Sequence, residues 1–262
     1  MSAQDFIQAK SEGRRLSMLT CYDYTFARLL SQSPLDGILV GDSAAMVMHG
    51  HSSTLSIDIE MMRRHTEAVV RGAPGKFIVA DMPFLSFRKG INVALDAAQL
   101  LMTAGAHAVK LEGVDGHENV VERMVQSGIP VMGHLGMQPQ SVNAYGGFRV
   151  QGRTADAAQE IHRQARSLEE LGAFGIVLEC IPAAVAREIT QSMSIPTIGI
   201  GAGACCDGQI LVLQDLLGLN TDFQPKFARR FFEGSRAVLD ALTRYDEAVK
   251  QGAFPAREES YS

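Results

Sequence analysis

Short apolar runs alternate with longer amphipathic stretches from one end of the chain to the other. The runs at 16–20, 37–40, 76–80, 108–111, 130–133, 175–178 and 196–200, with a weaker one at 209–213, are rich in Val, Ile and Leu. They lack strict alternation, which is how strands buried on both faces read. The stretches between them carry helical spacing. Residues 58–70 place Ile59, Met62 and Val69 on one side, and Asn92 is positioned to cap a helix bearing Leu95, Ala98, Leu101 and Met102. The segment 154–171 is the clearest, with Thr154 as N-cap, Ala158, Ile161, Ala165 and Leu168 on one face, and Gly172 as the stop. Pro182 suits a first helical position after the 175–178 strand. Residues 225–251 read as one or two helices before a polar tail ending at Ser262.

About eight strand-then-helix units in one chain predict a closed parallel barrel, the (β/α)8 architecture. An open doubly wound sheet is the alternative. No Pro/Ser-rich linker, repeat or low-complexity segment interrupts the pattern, so 1–262 is expected to be a single barrel domain with C-terminal helices and a short polar tail.

Composition changes this picture little. Hydrophobic residues make up 46% and charged residues 20%, ordinary globular usage that argues against disorder. Lys+Arg 24 against Asp+Glu 29 leaves a net charge of −5, so there is no basic footprint for nucleic acid or an anionic membrane. No apolar run is long enough to span a bilayer, and residues 1–15 lack the apolar region of a secretory signal. Cys21, Cys180, Cys205 and Cys206 show neither CxxC spacing nor a disulfide-dense pattern. Adjacent Cys205 and Cys206 are poorly placed to bridge one another. Reduced thiols in a cytoplasmic protein are the expectation.

The residues just past each strand carry the chemistry. Val40 runs into Gly41-Asp42-Ser43, Ala80 into Asp81, Leu111 into Glu112, Gly133 into His134 and Leu178 into Glu179. In a barrel these ends share the C-terminal rim, where active sites of this fold are built. One Asp after a strand is an ordinary turn residue. Three carboxylates converging in a cleft are different: they raise one another's pKa unless a cation sits among them. Oxygen ligands favour a hard ion, and Mg²⁺ is held by one or two carboxylates plus substrate oxygens and water. Lys110 either points inward to neutralise an anionic substrate or snorkels on the outer face. Glu179, between Leu178 and Cys180, is placed for desolvation toward a useful acid or base, or else pairs with an arginine at a strand end.

Other features say less. His49 and His51 flank Gly50, but no further Cys or His occurs at zinc-ligand spacing, so solvent-facing or hydrogen-bonded histidines are expected. Gly199-Ile200-Gly201-Ala202-Gly203 lacks the last glycine of the dinucleotide fingerprint and reads as a tight turn, with its amides open to substrate. Residues 143–148 form a Gly- and aromatic-rich loop on the same rim, placed as a lid or binding loop.

At these residues the chain resembles the ketopantoate hydroxymethyltransferase family. The matching segments include Thr20-Cys21-Tyr22-Asp23-Tyr24, Val40-Gly41-Asp42-Ser43, Asp81-Met82-Pro83-Phe84 and Val109-Lys110-Leu111-Glu112-Gly113. Gly133-His134-Leu135-Gly136, Pro139-Gln140-Ser141-Val142-Asn143, Leu178-Glu179-Cys180-Ile181-Pro182 and Asp207-Gly208-Gln209 come next, in family order over nearly the whole chain. The resemblance implies a (β/α)8 barrel of the phosphoenolpyruvate mutase and isocitrate lyase group. It implies transfer of a one-carbon unit from 5,10-methylenetetrahydrofolate to 3-methyl-2-oxobutanoate, giving 2-dehydropantoate. Asp42, Asp81 and Glu112 are then the Mg²⁺ site. Asp42, Ser43, Asp81 and Lys110 contact the keto acid, Glu179 is the catalytic base, and His134 is a site histidine grouped with the substrate contacts. A homo-oligomer, commonly a decamer, is implied as well. Departures at Gly113-Val114, Phe87-Arg88-Lys89-Gly90 and Ala204-Cys205-Cys206 lie beside these positions and remove none of them. A Mg²⁺-dependent lyase or mutase in the same barrel is the competing enzyme reading; its usual catalytic cysteine in a lid motif is not found. A non-catalytic scaffold is the third, and the intact acidic rim counts against it.

Overall fold

The computed structural model describes residues 1–221 and 224–261. Eight strands close a parallel barrel in sequential order: β1 Leu16–Thr20, β2 Gly37–Val40, β3 Phe77–Asp81, β4 Ala108–Glu112, β5 Val131–Gly136, β6 Gly175–Glu179, β7 Thr197–Ile200 and β8 Gly208–Leu211. The open-sheet alternative is excluded, because β8 pairs back to β1 in register. In chain order the helices are α1 Ala3–Ser11, α2 Tyr24–Ser31, α3 Ala44–Val47, α4 Ile59–Gly72, α5 Ile91–Thr103, α6 Glu118–Gln126 and α7 Val142–Tyr145. They continue with α8 Ala155–Glu170, α9 Ala183–Ser192, α10 Leu213–Leu216 and α11 Gly234–Lys250. The chain divides into two compact units, Met1–Val212, which holds all eight strands, and Leu213–Ser262.

Local chemistry explains most boundaries. Asp58 caps α4 through Met61 N, and Thr154 caps α8 through Ala157 N, satisfying amide donors that a helix start leaves open. Ile161, Ala165 and Leu168 are the buried side of α8, and Gly172 turns out of it at φ 89. Other expectations shift. Helix α5 begins one residue before Asn92, with Gly90 at φ 101 as a cap without a side-chain bond, so Asn92 is inside the first turn. Pro182 is the N-cap of α9 and not its first helical residue, because ψ 136 keeps it extended. The weak eighth strand is Gly208–Leu211, and only Gly234–Lys250 of the 225–251 stretch is a single long helix. Ser262, named as the end of the tail, lies outside the described residues.

The polar start of the chain is a helix that periodicity does not reveal. Ser2 Oγ accepts from Asp5 N while the Asp5 carboxylate accepts from Ser2 N, a reciprocal capping box legible as Ser2-x-x-Asp5. Its Phe6 and Ala9 join one core cluster with Leu16, Phe77, Ala108 and Met132 from the strands. The Phe6 ring lies 5.1 Å from Phe77 and 6.0 Å from Phe174, the latter edge-on. Thus α1 closes the N-terminal end of the barrel.

Strand alternation does the rest. Side chains repeat every second residue, so the inward set Phe77–Val79 continues to Asp81, Ala108 to Lys110 and Glu112, Met132 to His134, and Val177 to Glu179. Apolar layers fill the lower barrel and one ionisable layer sits above them. Replacing Phe6 by Ala removes the largest part of the lower plug and is expected to cost about 3–5 kcal/mol. A urea midpoint within error of the unaltered chain would show that α1 does not close the core.

Candidate active site

Register places the ionisable side chains side by side. Asp81 is the partner of Lys110 across β3 and β4, and Glu112 is the partner of His134 across β4 and β5. Lys110 Nζ lies 2.7 Å from Asp81 Oδ1, with both side chains buried, so the inward alternative for this lysine is the one realised. His134 is inside β5 and not after it, and its ring joins two strands: Nδ1 is 3.6 Å from Glu112 Oε1 and Nε2 is 3.1 Å from Glu179 Oε2. Lys110 Nζ is also 3.3 Å from His134 Nδ1. Asp81, Glu112 and Glu179 end their strands, one residue further than the apolar runs alone predict.

Asp42 comes from the turn after β2. Its backbone N–H donates to Asp81 Oδ2 at 3.0 Å, which fixes the two acids as neighbours. Ser43 Oγ is 2.8 Å from the hydroxyl of Tyr22, a residue that the sequence pattern does not single out for the site. Gln140 is a second such residue. Its amide Nε2 donates to Asp42 Oδ2 at 2.8 Å and to the Met82 carbonyl at 2.9 Å, while its backbone N–H donates to Glu112 Oε2 at 3.0 Å. A signal is present in the segment Pro139-Gln140-Ser141, but nothing in spacing shows that this turn folds back over the mouth.

Burial and mutual repulsion set the electrostatics. Asp42 is raised well above the ordinary carboxylate range, first by burial and then by Asp81 and Glu112. Burial works against the Lys110 ammonium, yet Asp81, Asp42 and Glu112 together outweigh it and raise its pKa. Burial and Lys110 likewise oppose the charged His134 ring, while the Glu112 and Glu179 carboxylates prevail and raise it to about 9. Four formal carboxylates (Asp42, Asp81, Glu112, Glu179) therefore face two cations, Lys110 and His134. The excess of negative charge, the all-oxygen donors, and Glu112 Oε1 accepting no aligned hydrogen bond fit a hard divalent ion. Among the described residues no group of three or more His, Cys, Asp or Glu side chains is arranged to hold a metal ion by itself.

Glu179 is the open member, with 18% of its side chain exposed against 3–5% for Asp81, Lys110, Glu112 and His134. It pairs with His134, so the expected arginine partner is replaced by a histidine. Cys180 comes next at φ 46, a left-handed conformation unfavourable for a residue with a Cβ. Backbone bonds from Cys180 N–H to Ile200 O and from Gln151 N–H to Cys180 O hold it there. Burial, then Glu179, pushes the Cys180 thiol up to about 12, so it is no thiolate nucleophile near neutral pH. Gly136, at φ 92, passes so close to β6 that an added Cβ would meet Glu179 O at 2.2 Å.

Of the remaining candidates, the 143–148 loop comes near this cluster through Tyr145, whose hydroxyl is pushed up by burial and then by the Glu112 carboxylate. His49 Nε2 is 2.9 Å from His65 Nε2, which accounts for His49 as a hydrogen-bonded residue. Gly201 and Gly203 take φ 65 and φ 84, the tight turn expected after β7. The rim loop at 143–148 holds α7, ends at left-handed Gly146 and leaves Phe148 exposed.

The fold and this acidic mouth define a (β/α)8-barrel protein whose buried ionisable groups converge on the C-terminal rim. Among solved structures, 2,3-dimethylmalate lyase, described as a PEP mutase/isocitrate lyase superfamily member, matches with a TM-score of 0.61 and 15% identity, covering 99% of this chain and 91% of that one. Phosphoenolpyruvate phosphomutase from Streptomyces platensis subsp. rosaceus matches with a TM-score of 0.64 and 13% identity, covering 96% and 88%. At such identity the likeness is one of fold. The family model for ketopantoate hydroxymethyltransferase matches residues 1–257. Proteins named 3-methyl-2-oxobutanoate hydroxymethyltransferase are 54% identical over 258 residues in Bdellovibrio bacteriovorus (98% of each chain) and 51% identical over 256 residues in Coxiella burnetii (97% and 96%). The chain belongs to the ketopantoate hydroxymethyltransferase family.

One rim residue makes the stability pH-dependent. His117 lies past β4, its ring 5.1 Å from Phe87, and burial together with the Arg88 guanidinium pushes it down from 6.5 to about 4. Its folded pKa is below the unfolded one, so its contribution is complete above about pH 6.5 and is lost as pH falls toward 4. Lowering the pH from about 7.5 to about 5 is expected to remove about 1–2 kcal/mol through this group. Urea midpoints of the unaltered chain and His117→Gln at the two pH values test this; equal pH slopes would contradict it.

Proposed function

We propose that this chain transfers a hydroxymethyl group from 5,10-methylenetetrahydrofolate to 3-methyl-2-oxobutanoate, giving 2-dehydropantoate. The observation that carries the reading is the mouth itself: a carboxylate with solvent access, Glu179, paired with His134, a buried Lys110 paired with Asp81, and a cluster of acids short of positive charge. Membership of the family supports it over other reactions of the same barrel.

In this reading Asp42, Asp81 and Glu112 hold Mg²⁺, with Ser43 and Lys110 beside the keto acid. When bound, Mg²⁺ supplies Lewis acidity toward the keto and carboxylate oxygens of the substrate. Lys110, fixed by Asp81, sets a positive charge where the keto oxygen gains electron density as C3 loses its proton. Glu179 takes that proton, and His134 Nε2 steadies its carboxylate. Water adds to the methylene carbon of the folate, both of its C–N bonds break and tetrahydrofolate leaves; C3 attacks the released carbonyl carbon, whose oxygen becomes the hydroxyl, and the C3 proton and one water proton end on the two folate nitrogens. The apolar floor and α1 keep water from below the reacting carbon.

The protein works as a homo-oligomer, a decamer on the family pattern. Helix α11 supports this, because its Val238, Leu242, Tyr245 and Val249 form an exposed apolar stripe. No helix among the described residues is long and apolar enough to cross a membrane, and all four cysteines are free, which accords with a reducing cytoplasm.

Exchange of the C3 proton in deuterated water, monitored by NMR, tests the chemistry apart from the transfer. The unaltered chain should exchange it with Mg²⁺, stop with chelator, and form product once methylenetetrahydrofolate is added. Glu179→Gln should still bind the keto acid with Mg²⁺ but lose at least about a hundredfold in exchange rate. Normal exchange in that variant would remove Glu179 as the base. For the assembly, Leu242→Glu should lower the mass measured by light scattering, and an unchanged mass would place the interface elsewhere.

A further inference from the structure

The turn after β5 does more than connect it to α7. Gly136 crosses the end of β6 at a distance only glycine permits, and the next amide, Met137 N–H, donates to Glu179 O at 2.8 Å. Three residues on, Gln140 is 9% exposed and reaches the other side of the mouth. The two hydrogens of one amide are spent on two different strand ends, Asp42 Oδ2 after β2 and Met82 O after β3. The backbone N–H of the same residue holds Glu112 Oε2 at the end of β4. One short segment therefore ties β2, β3, β4 and β6 together at the level of the ionisable layer.

We propose that Gln140 is the positioning residue of the acidic site, holding Asp42 and Glu112 at once through its side-chain and backbone amides, so that divalent-ion binding depends on the seating of the 136–140 turn. The inference rests on the reading of Asp42, Asp81 and Glu112 as the ion's ligands. A carboxylate can rotate about its terminal torsion, and a donor fixed on one oxygen orients the other. With Oδ2 of Asp42 and Oε2 of Glu112 both occupied by Gln140, the remaining oxygens, Asp42 Oδ1 and Glu112 Oε1, are the ones left for the ion. Partners of this kind around a metal site typically change affinity or activity by about 10–100-fold when removed. The hydrogen bonds of Gln140 go to Asp42, Glu112 and the Met82 carbonyl, so it acts through the acids it holds.

The test uses Gln140→Met, which keeps the side chain's length and packing but removes both side-chain donors and leaves the backbone N–H to Glu112. Mn²⁺ binding to the full chain with saturating keto acid and without folate is measured by calorimetry, alongside thermal melting. The expected result is Mn²⁺ affinity at least about tenfold weaker, with the melting temperature within a few degrees of the unaltered chain. Gln140→Ala should be at least as weak. A higher metal requirement for C3-proton exchange, restored at saturating Mn²⁺, separates positioning from a general loss of structure. Equal Mn²⁺ affinity in Gln140→Met overturns the inference while metal-dependent exchange by the unaltered chain still upholds the proposed function. Failure of the unaltered chain to bind Mn²⁺, or binding unaffected by Asp42→Asn, overturns the ligand reading and the inference with it.

Discussion

The ion pair between Lys110 and Asp81 is the contact on which the mouth of the barrel depends. Both side chains are almost fully removed from water, and their pairing comes from cross-strand register. Breaking such a pair by deleting one partner leaves a buried charge uncompensated, at a cost of about 3–5 kcal/mol. Asp81 in turn receives the Asp42 backbone N–H, so the turn after β2 is organised around the same carboxylate. In the proposed reaction an ammonium held this way is preorganised: it needs no rearrangement to meet charge developing on a substrate oxygen.

Around this pair the barrel separates two tasks by height. The lower layers, closed by Phe6 and Phe174 against Phe77, are apolar and supply stability. The upper layer is electrostatically strained, with burial and like charge raising Asp42 and two carboxylates holding His134 charged. A strained polar layer persists because rigid hydrogen-bonded strands fix its members from below, while the 136–140 turn fixes them from above.

Much of this is legible in the chain. Apolar runs set off by turn residues locate the eight strands to within a few residues, since strands buried on both faces leave a continuous Val/Ile/Leu signature. Asp42, Asp81, Glu112, His134 and Glu179 stand out because each comes at the end of such a run. Two residues of the site are less visible. Tyr22 and Gln140 sit in connecting segments, and no local pattern says which distant backbone or carboxylate a turn will reach. The N-terminal helix is hidden for a different reason: only Phe6 and Ala9 of its nine residues are buried, too few to make a periodic face.

By itself the sequence determined the alternation of strand and helix, the acidic chemistry of the strand ends and, through its ordered motifs, the family. These are properties of neighbouring residues and survive without knowledge of the fold. Only the tertiary structure decided that Lys110 faces inward, that Glu179 pairs with His134, and that Gln140 bridges Asp42 and Glu112. Each depends on barrel closure, register and the path of a turn, which bring together residues as far as 98 positions apart. Cooperative packing settles those relations, and no stretch of chain encodes them alone.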